Sequence, residues 1–187
     1  MAFSFRKNVV ATLVILAGLA VLPGCSILIG PGNPRPNIVV ASQKKSLRVV
    51  ISDSIPNDFD PQTPPHLRNM HVQGWHQTLE KGFSNGFGDS MRVVDSGTSD
   101  WTLKIDNAEL EYVSAAVNGY GNVVALTAQI RFKASLQRDG EELRLAGTVE
   151  SKKATSQGAE IPALAYSAIE TMYEKIAADL FNRQGGK

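Results

Sequence analysis

The sequence predicts an α+β fold, a two-layer sandwich in which two helices cover a mainly antiparallel sheet in the order β-α-β-β-β-β-α. Three observations predict it. Val124, Leu126, Ala128, Ile130, Phe132, Ala134 and Leu136 alternate with polar and small residues, the period of a strand with one buried face. Ala165, Ile169, Met172, Ile176 and Leu180 recur at helical spacing, with Glu170, Glu174, Lys175 and Asp179 on the other side. Asn118-Gly119 and Asp139-Gly140 are tight-turn pairs that punctuate a meander. A half-buried sheet and two amphipathic helices must cover one another.

The elements follow in chain order. Leu47, Val49 and Ile51 alternate and predict a first strand. Residues 53–66 are rich in Pro, Asp and Asn and read as a loop. Val72, Trp75, Leu79 and Phe83 predict a helix, with Thr63-Pro64 as a candidate start and Gly86 and Gly88 as candidate stops. Residues 91–94 form a short second strand. Trp101, Leu103 and Ile105 alternate, then the phase slips by one to Ala108, Leu110 and Tyr112, which predicts a bulge at Asp106-Asn107. Leu143, Leu145, Gly147 and Val149 give the last strand, and the closing helix spans about 162–182. Trp75 and Trp101 fall on apolar phases and are expected in the core.

The first residues divide the chain further. Arg6 and Lys7 precede an uncharged apolar run over 9–22, which is shorter than the ~20 residues a spanning helix needs. This is the pattern of a secretory leader. Leu22-Pro23-Gly24-Cys25 resembles the bacterial lipobox, whose cysteine becomes the lipid-bearing first residue; Pro23 stands where that pattern has a small residue. The alternative is an ordinary leader followed by an incidental cysteine. The expected organisation is a signal peptide at 1–24, a lipidated Cys25 with a flexible tether over 25–46, and an α+β domain over 47–187. Pro31, Gly32, Asn33, Pro34 and Pro36 break any periodicity in the tether. Such a tether reaches up to ~60 Å. Ile27-Leu28-Ile29 is expected at the lipid surface.

Composition narrows the functional classes. Without the two leader bases the net charge of +1 becomes −1, so the chain lacks the basic footprint of a nucleic-acid binder. Cys25 is the single cysteine, which excludes disulfides and cysteine metal sites. His66, His71 and His76 are spaced by five and do not converge on one helical face. Gly88-Asp89-Ser90-Met91 resembles the nucleophile block of GDSL-type esterases, over these residues alone. No histidine follows residue 76 to act as the base. No catalytic residue, metal or cofactor is therefore expected.

Ser99-Asp100-Trp101-Thr102-Leu103-Lys104-Ile105, leading into the long hairpin and Asp139-Gly140, gives the strongest likeness. With the lipobox and the plan of the mature chain, it resembles small outer-membrane lipoproteins of the YajG type. The lipopolysaccharide-assembly lipoprotein and auxiliary lipoproteins of some lipid transporters share the layout. The resemblance implies a non-enzymatic envelope component and carries over one site residue, Cys25. In such lipoproteins an aspartate after the cysteine favours inner-membrane retention, so Ser26 implies the outer membrane, on its periplasmic face. Expected partners are the membrane, through the lipid, and an envelope complex or further copies of the chain. The alternative is a lipid or lipopolysaccharide transport accessory. Candidate contact residues are Tyr120 at a hairpin tip and Lys104, Arg131, Lys133 and Arg144 on the sheet's wet face. Replacing Arg131 and Lys133 by glutamate is expected to spare stability, because exposed ion pairs contribute only ~0–1 kcal/mol.

Overall fold

The computed structural model describes residues 26–41, 44–65, 67, 69–120, 123–154 and 160–182. Cys25 and His66 lie outside them. The elements are β1 (Ile27–Ile29), β2 (Ser46–Ile51), β3 (Met70–Val72), α1 (Trp75–Phe87), β4 (Arg92–Val93), β5 (Trp101–Val117), β6 (Val123–Arg138), β7 (Glu141–Lys153) and α2 (Ile161–Ile176). A π-helical turn over Ala177–Phe181 extends α2. The main sheet has the order β4-β2-β5-β6-β7, and β1 pairs separately with β3. The α+β class holds, with two helices on a mixed, open sheet.

The sheet is antiparallel where hairpins join its strands and parallel where a helix does. β5, β6 and β7 are antiparallel neighbours. Asp139 and Gly140 both take positive φ, 49° and 85°, as the tight β6–β7 turn requires. β2 runs parallel to both β4 and β5, because the chain returns from β2 through α1. The register of β5 against β6 shifts between Ile105 and Asn107. That is the bulge the phase slip predicts, and it returns Ala108, Leu110 and Tyr112 to the buried face.

Two helices cover that face. Trp75, Leu79, Phe83 and Phe87 of α1 are buried, as are Ala165, Ile169, Met172, Ile176 and Leu180 of the closing helix. Both tryptophans lie in the core: the Trp75 indole N–H donates to the Ala108 carbonyl at 3.0 Å, and Trp101 packs on Phe181. The helices cross closely at Gly82, where a Cβ would lie 3.1 Å from Ile169. Beside it the Tyr173 hydroxyl donates to the Leu79 carbonyl at 2.9 Å. Burial pushes that phenol's pKa well above its ordinary value, so Tyr173 stays protonated.

Two expectations are corrected here. Val72 is not helical. It pairs with Ile29, and Gly74 at φ 66° turns the chain into a helix that begins at Trp75. The first helical amides find acceptors on the preceding loop instead of on Thr63: Asn57 O accepts from the Trp75 N–H and Asn57 Oδ1 from the His76 N–H.

The second correction concerns the tether, whose residues 26–41 are bound to the body. Ile27–Ile29 pairs with β3, leaving Ile29 buried and Leu28 55 % exposed. Residues 30–40 then run as an extended strap in the groove between the helices. The Tyr166 hydroxyl donates to the Gly30 carbonyl, and the Gly32 N–H donates to Thr78 Oγ1. The Arg35 and Asn37 amides donate to Glu170 and Glu174, each at 2.8 Å. Asn85 donates to the Pro34 carbonyl and Asn182 to that of Val39. The prolines that forbid a helix suit such a strap: Pro34 and Pro36 are buried and have no N–H to leave unpaired.

Two predictions follow from these contacts. Glu170→Ala with Glu174→Ala removes two charged acceptors from the strap, at a cost of about 1 kcal/mol for the pair. Amide hydrogen exchange should accelerate at Arg35 and Asn37 and stay unchanged in β6. The second concerns Asp100, whose Oδ2 accepts from both the Ser46 N–H and its hydroxyl at 2.7 Å, pinning the start of β2 beside β5. The backbone hydrogen bond from Ser46 chiefly holds this carboxyl below its ordinary pKa. A lowered folded-state value contributes stability above the ordinary carboxylate range, which is lost as pH falls through the folded value. Asp100→Asn should therefore lower the melting temperature near neutral pH and reduce its decline in acid.

Candidate functional site

The candidate contact residues are placed by strand alternation. Outward positions of β5, β6 and β7 line up in rows across the sheet. Lys104, Ser135 and Arg144 form one row, Asn107, Lys133 and Ala146 the next, and Glu109, Arg131 and Thr148 a third. Lys104, Lys133 and Arg144 meet at an open cavity of about 500 Å³ that Asp106 and Glu142 also line. Arg131 sits outside it, one row further along.

Charge on this face is mostly compensated locally. Lys104 Nζ lies 2.6 Å from Asp106 Oδ1, and Arg144 Nη2 lies 2.8 Å from Glu142 Oε2. The hydrogen bond from Arg144 draws the Glu142 pKa below its ordinary value, and the same bond raises that of Arg144. Lys133 has no ion pair among the described residues. Arg131 Nη2 donates to Glu111 Oε2 at 2.7 Å, while its Nε stands 3.6 Å from Glu109. Glu111 is only 8 % exposed, so this is not a free surface pair. Chemically, the face is a mixed array of donors and acceptors suited to a polar partner.

The other singled-out residues lie apart. Tyr120, 92 % exposed, sits at the β5–β6 tip. His71 Nδ1 lies 2.8 Å from Asp60 Oδ1, and His76 Nε2 lies 2.6 Å from the Ile55 carbonyl, so these two face different partners. The Ser90 amide closes the turn after α1 by donating to the Phe87 carbonyl.

Sequence reading missed the outer part of the β5–β6 hairpin. The Tyr112 hydroxyl donates to the Ile161 carbonyl, at the very start of α2, and β7 pairs no further than Leu126. Beyond these points the hairpin continues as an arm with no helix over it among the described residues. Val113, Val117 and Val124 are exposed there. The signal was available: no acidic, basic or histidine residue occurs between Glu111 and Arg131.

The buried partner of Arg131 argues against the expectation that replacing Arg131 together with Lys133 spares stability. Arg131→Glu would set a third carboxylate beside Glu109 and Glu111 and leave Glu111 buried without its cation. It should cost about 2–4 kcal/mol, seen as a lowered urea midpoint. Lys133→Glu should leave the midpoint within about 0.5 kcal/mol, which makes it the clean probe of partner contact.

No family model matches the chain, and no curated protein matches it. Solved structures do resemble it. Protein XCC0632 from Xanthomonas campestris, described with the family model DUF330, is 18 % identical, with a TM-score of 0.56 over 84 % of this chain and 97 % of that one. Rare lipoprotein B from Shewanella oneidensis is 11 % identical, with a TM-score of 0.40 over 71 % of this chain and 94 % of that one. An uncharacterized lipoprotein B from Nitrosomonas europaea is 13 % identical, with a TM-score of 0.37 over 74 % and 85 %. The last two likenesses are too remote to carry an argument. The first shows a shared fold.

Proposed function

We propose that this chain is a non-enzymatic periplasmic lipoprotein, anchored through Cys25 to the outer membrane and acting as an assembly or scaffold component of an envelope complex. The observation that carries the proposal is the basic-apolar leader closing on Leu22-Pro23-Gly24-Cys25. The fold shared with XCC0632 is compatible with it. On this reading the polar face holding Lys104, Lys133 and Arg144 meets the partner. Its paired charges set orientation more than affinity.

The alternative, a lipid or lipopolysaccharide accessory protein, needs an apolar groove or a basic patch. The groove between the helices is filled by the protein's own strap. Lys104, Arg131 and Arg144 each face a carboxylate. These observations favour the scaffold reading. Crosslinking in native envelopes, read by mass spectrometry, separates the two: protein subunits or self-contacts support a scaffold, and lipid adducts support an accessory.

The anchor itself is tested by Cys25→Ala. Several acyl chains together hold a protein on a membrane firmly, whereas one holds it marginally. The parent chain should stay with membranes through a salt wash and show the mass of its lipid. The variant should be uncleaved or soluble. A parent chain with no added mass at Cys25 would falsify the proposal.

A further inference from the structure

The end of the molecule that carries the first described residue is also the end from which the arm projects. The strap and α2 run the same way: Gly30 lies at Tyr166, Arg35 at Glu170, Asn37 at Glu174 and Val39 at Asn182. β5 runs opposite to them, from Trp101 beside Phe181 to Tyr112 beside Ile161. Ser26 and β1 therefore sit past the start of α2, at the root of the arm. From Tyr112 the strand runs five residues to Val117, a reach of about 17 Å, before the turn that carries Tyr120.

The surface at this end is distinctive. Six large hydrophobic residues are exposed among the described residues, and five of them, Leu28, Val113, Val117, Tyr120 and Val124, lie on β1 or the arm. The arm carries no ionisable group other than Tyr120. Lys152, opposite Thr127 at its root, is exposed and has no ion pair among the described residues.

We infer that the β5–β6 arm is a membrane-contact element that lies in the headgroup region of the phospholipid surface holding the Cys25 anchor. The inference rests on the lipoprotein reading of Cys25. The occupant follows from where the chain outside the structure ends: Cys25 is one residue before Ser26, so its lipid enters the membrane at the arm's root. The depth follows from hydrogen bonding. Beyond Tyr112 the β5 edge away from β6 has no backbone partner among the described residues; hydrocarbon does not tolerate such an edge, whereas the wet interface satisfies it. Tyr120 is a residue type favoured at that level, and Lys152 suits anionic headgroups.

The test uses the one-cysteine sequence. In the lipidated chain the Cys25 sulfur is blocked, so Tyr120→Cys supplies a unique thiol at a site where no packing is lost. Ser96→Cys, in an exposed loop at the opposite end, is the control. Each is labelled with an environment-sensitive fluorophore, and the lipidated protein is reconstituted in phosphatidylethanolamine–phosphatidylglycerol vesicles. Lipid-borne nitroxides should quench position 120 about threefold more than position 96, and iodide should quench in the reverse order. Equal iodide access at both positions in protein that floats with the vesicles overturns the inference and leaves the anchor standing. Shielding of position 120 from iodide without quenching by lipid overturns it in favour of contact between copies. Protein that does not float removes the anchor reading and the inference with it.

Discussion

The fit between an extended chain and a helical turn is the constraint that fixes the strap on the two helices, and with it the position of the first described residue. Two residues of extended backbone advance about 6.6 Å, and four residues of helix advance about 6 Å. Arg35 and Asn37 are two apart on the strap, and Glu170 and Glu174 are four apart on α2, so both amides meet a carboxylate without either element bending. Glycines make the approach possible. A Cβ at Gly86 would lie 2.7 Å from the Pro36 ring, and one at Gly32 would lie 2.3 Å from the Tyr166 ring. Close-packed interiors do not absorb such overlaps cheaply. The strap thus becomes a third layer, which joins the polar edges of the two helices and closes the groove between them.

The sheet was legible because its signals are local. A strict period of two over 124–136, a one-residue slip at Asp106-Asn107 and the Asp139-Gly140 turn each fix a conformation within a few residues. The strap was not legible, because its signals are distant. Prolines and a glycine over 31–36 read as a tether when only neighbours are considered. What orders them is Thr78, Asn85, Glu170 and Glu174, between 46 and 137 residues away. Val72 failed for a related reason: three residues of alternation cannot be told from one turn of a helix, and pairing with Ile29 decided it.

The contact face shows the same division. Alternation put Lys104, Arg131, Lys133 and Arg144 on one side of the sheet, and they are there. Which carboxylate each one meets depends on cross-strand register. Arg131 is drawn to Glu111 of β5, and that carboxylate's near-complete burial makes one outwardly exposed cation structural. Lys133, in the neighbouring row, has no such partner among the described residues.

A bound strap changes what a lipid anchor does. A free tether lets a domain turn and stand off the membrane, so its orientation carries no information. With residues 27–40 held against the body, the lipid of the proposed lipoprotein is attached at one fixed corner. Lys104 lies seven residues before Glu111 on β5, which sets the Lys104–Arg144 row about 23 Å along the strand from the arm's root. A partner of the proposed lipoprotein would meet that row at a fixed distance from the anchor. Orientation fixed in this way lowers the entropic cost of docking, which is the part of binding that buried area does not repay. For the proposed scaffold component, a mixed-charge face of modest intrinsic affinity would then be sufficient.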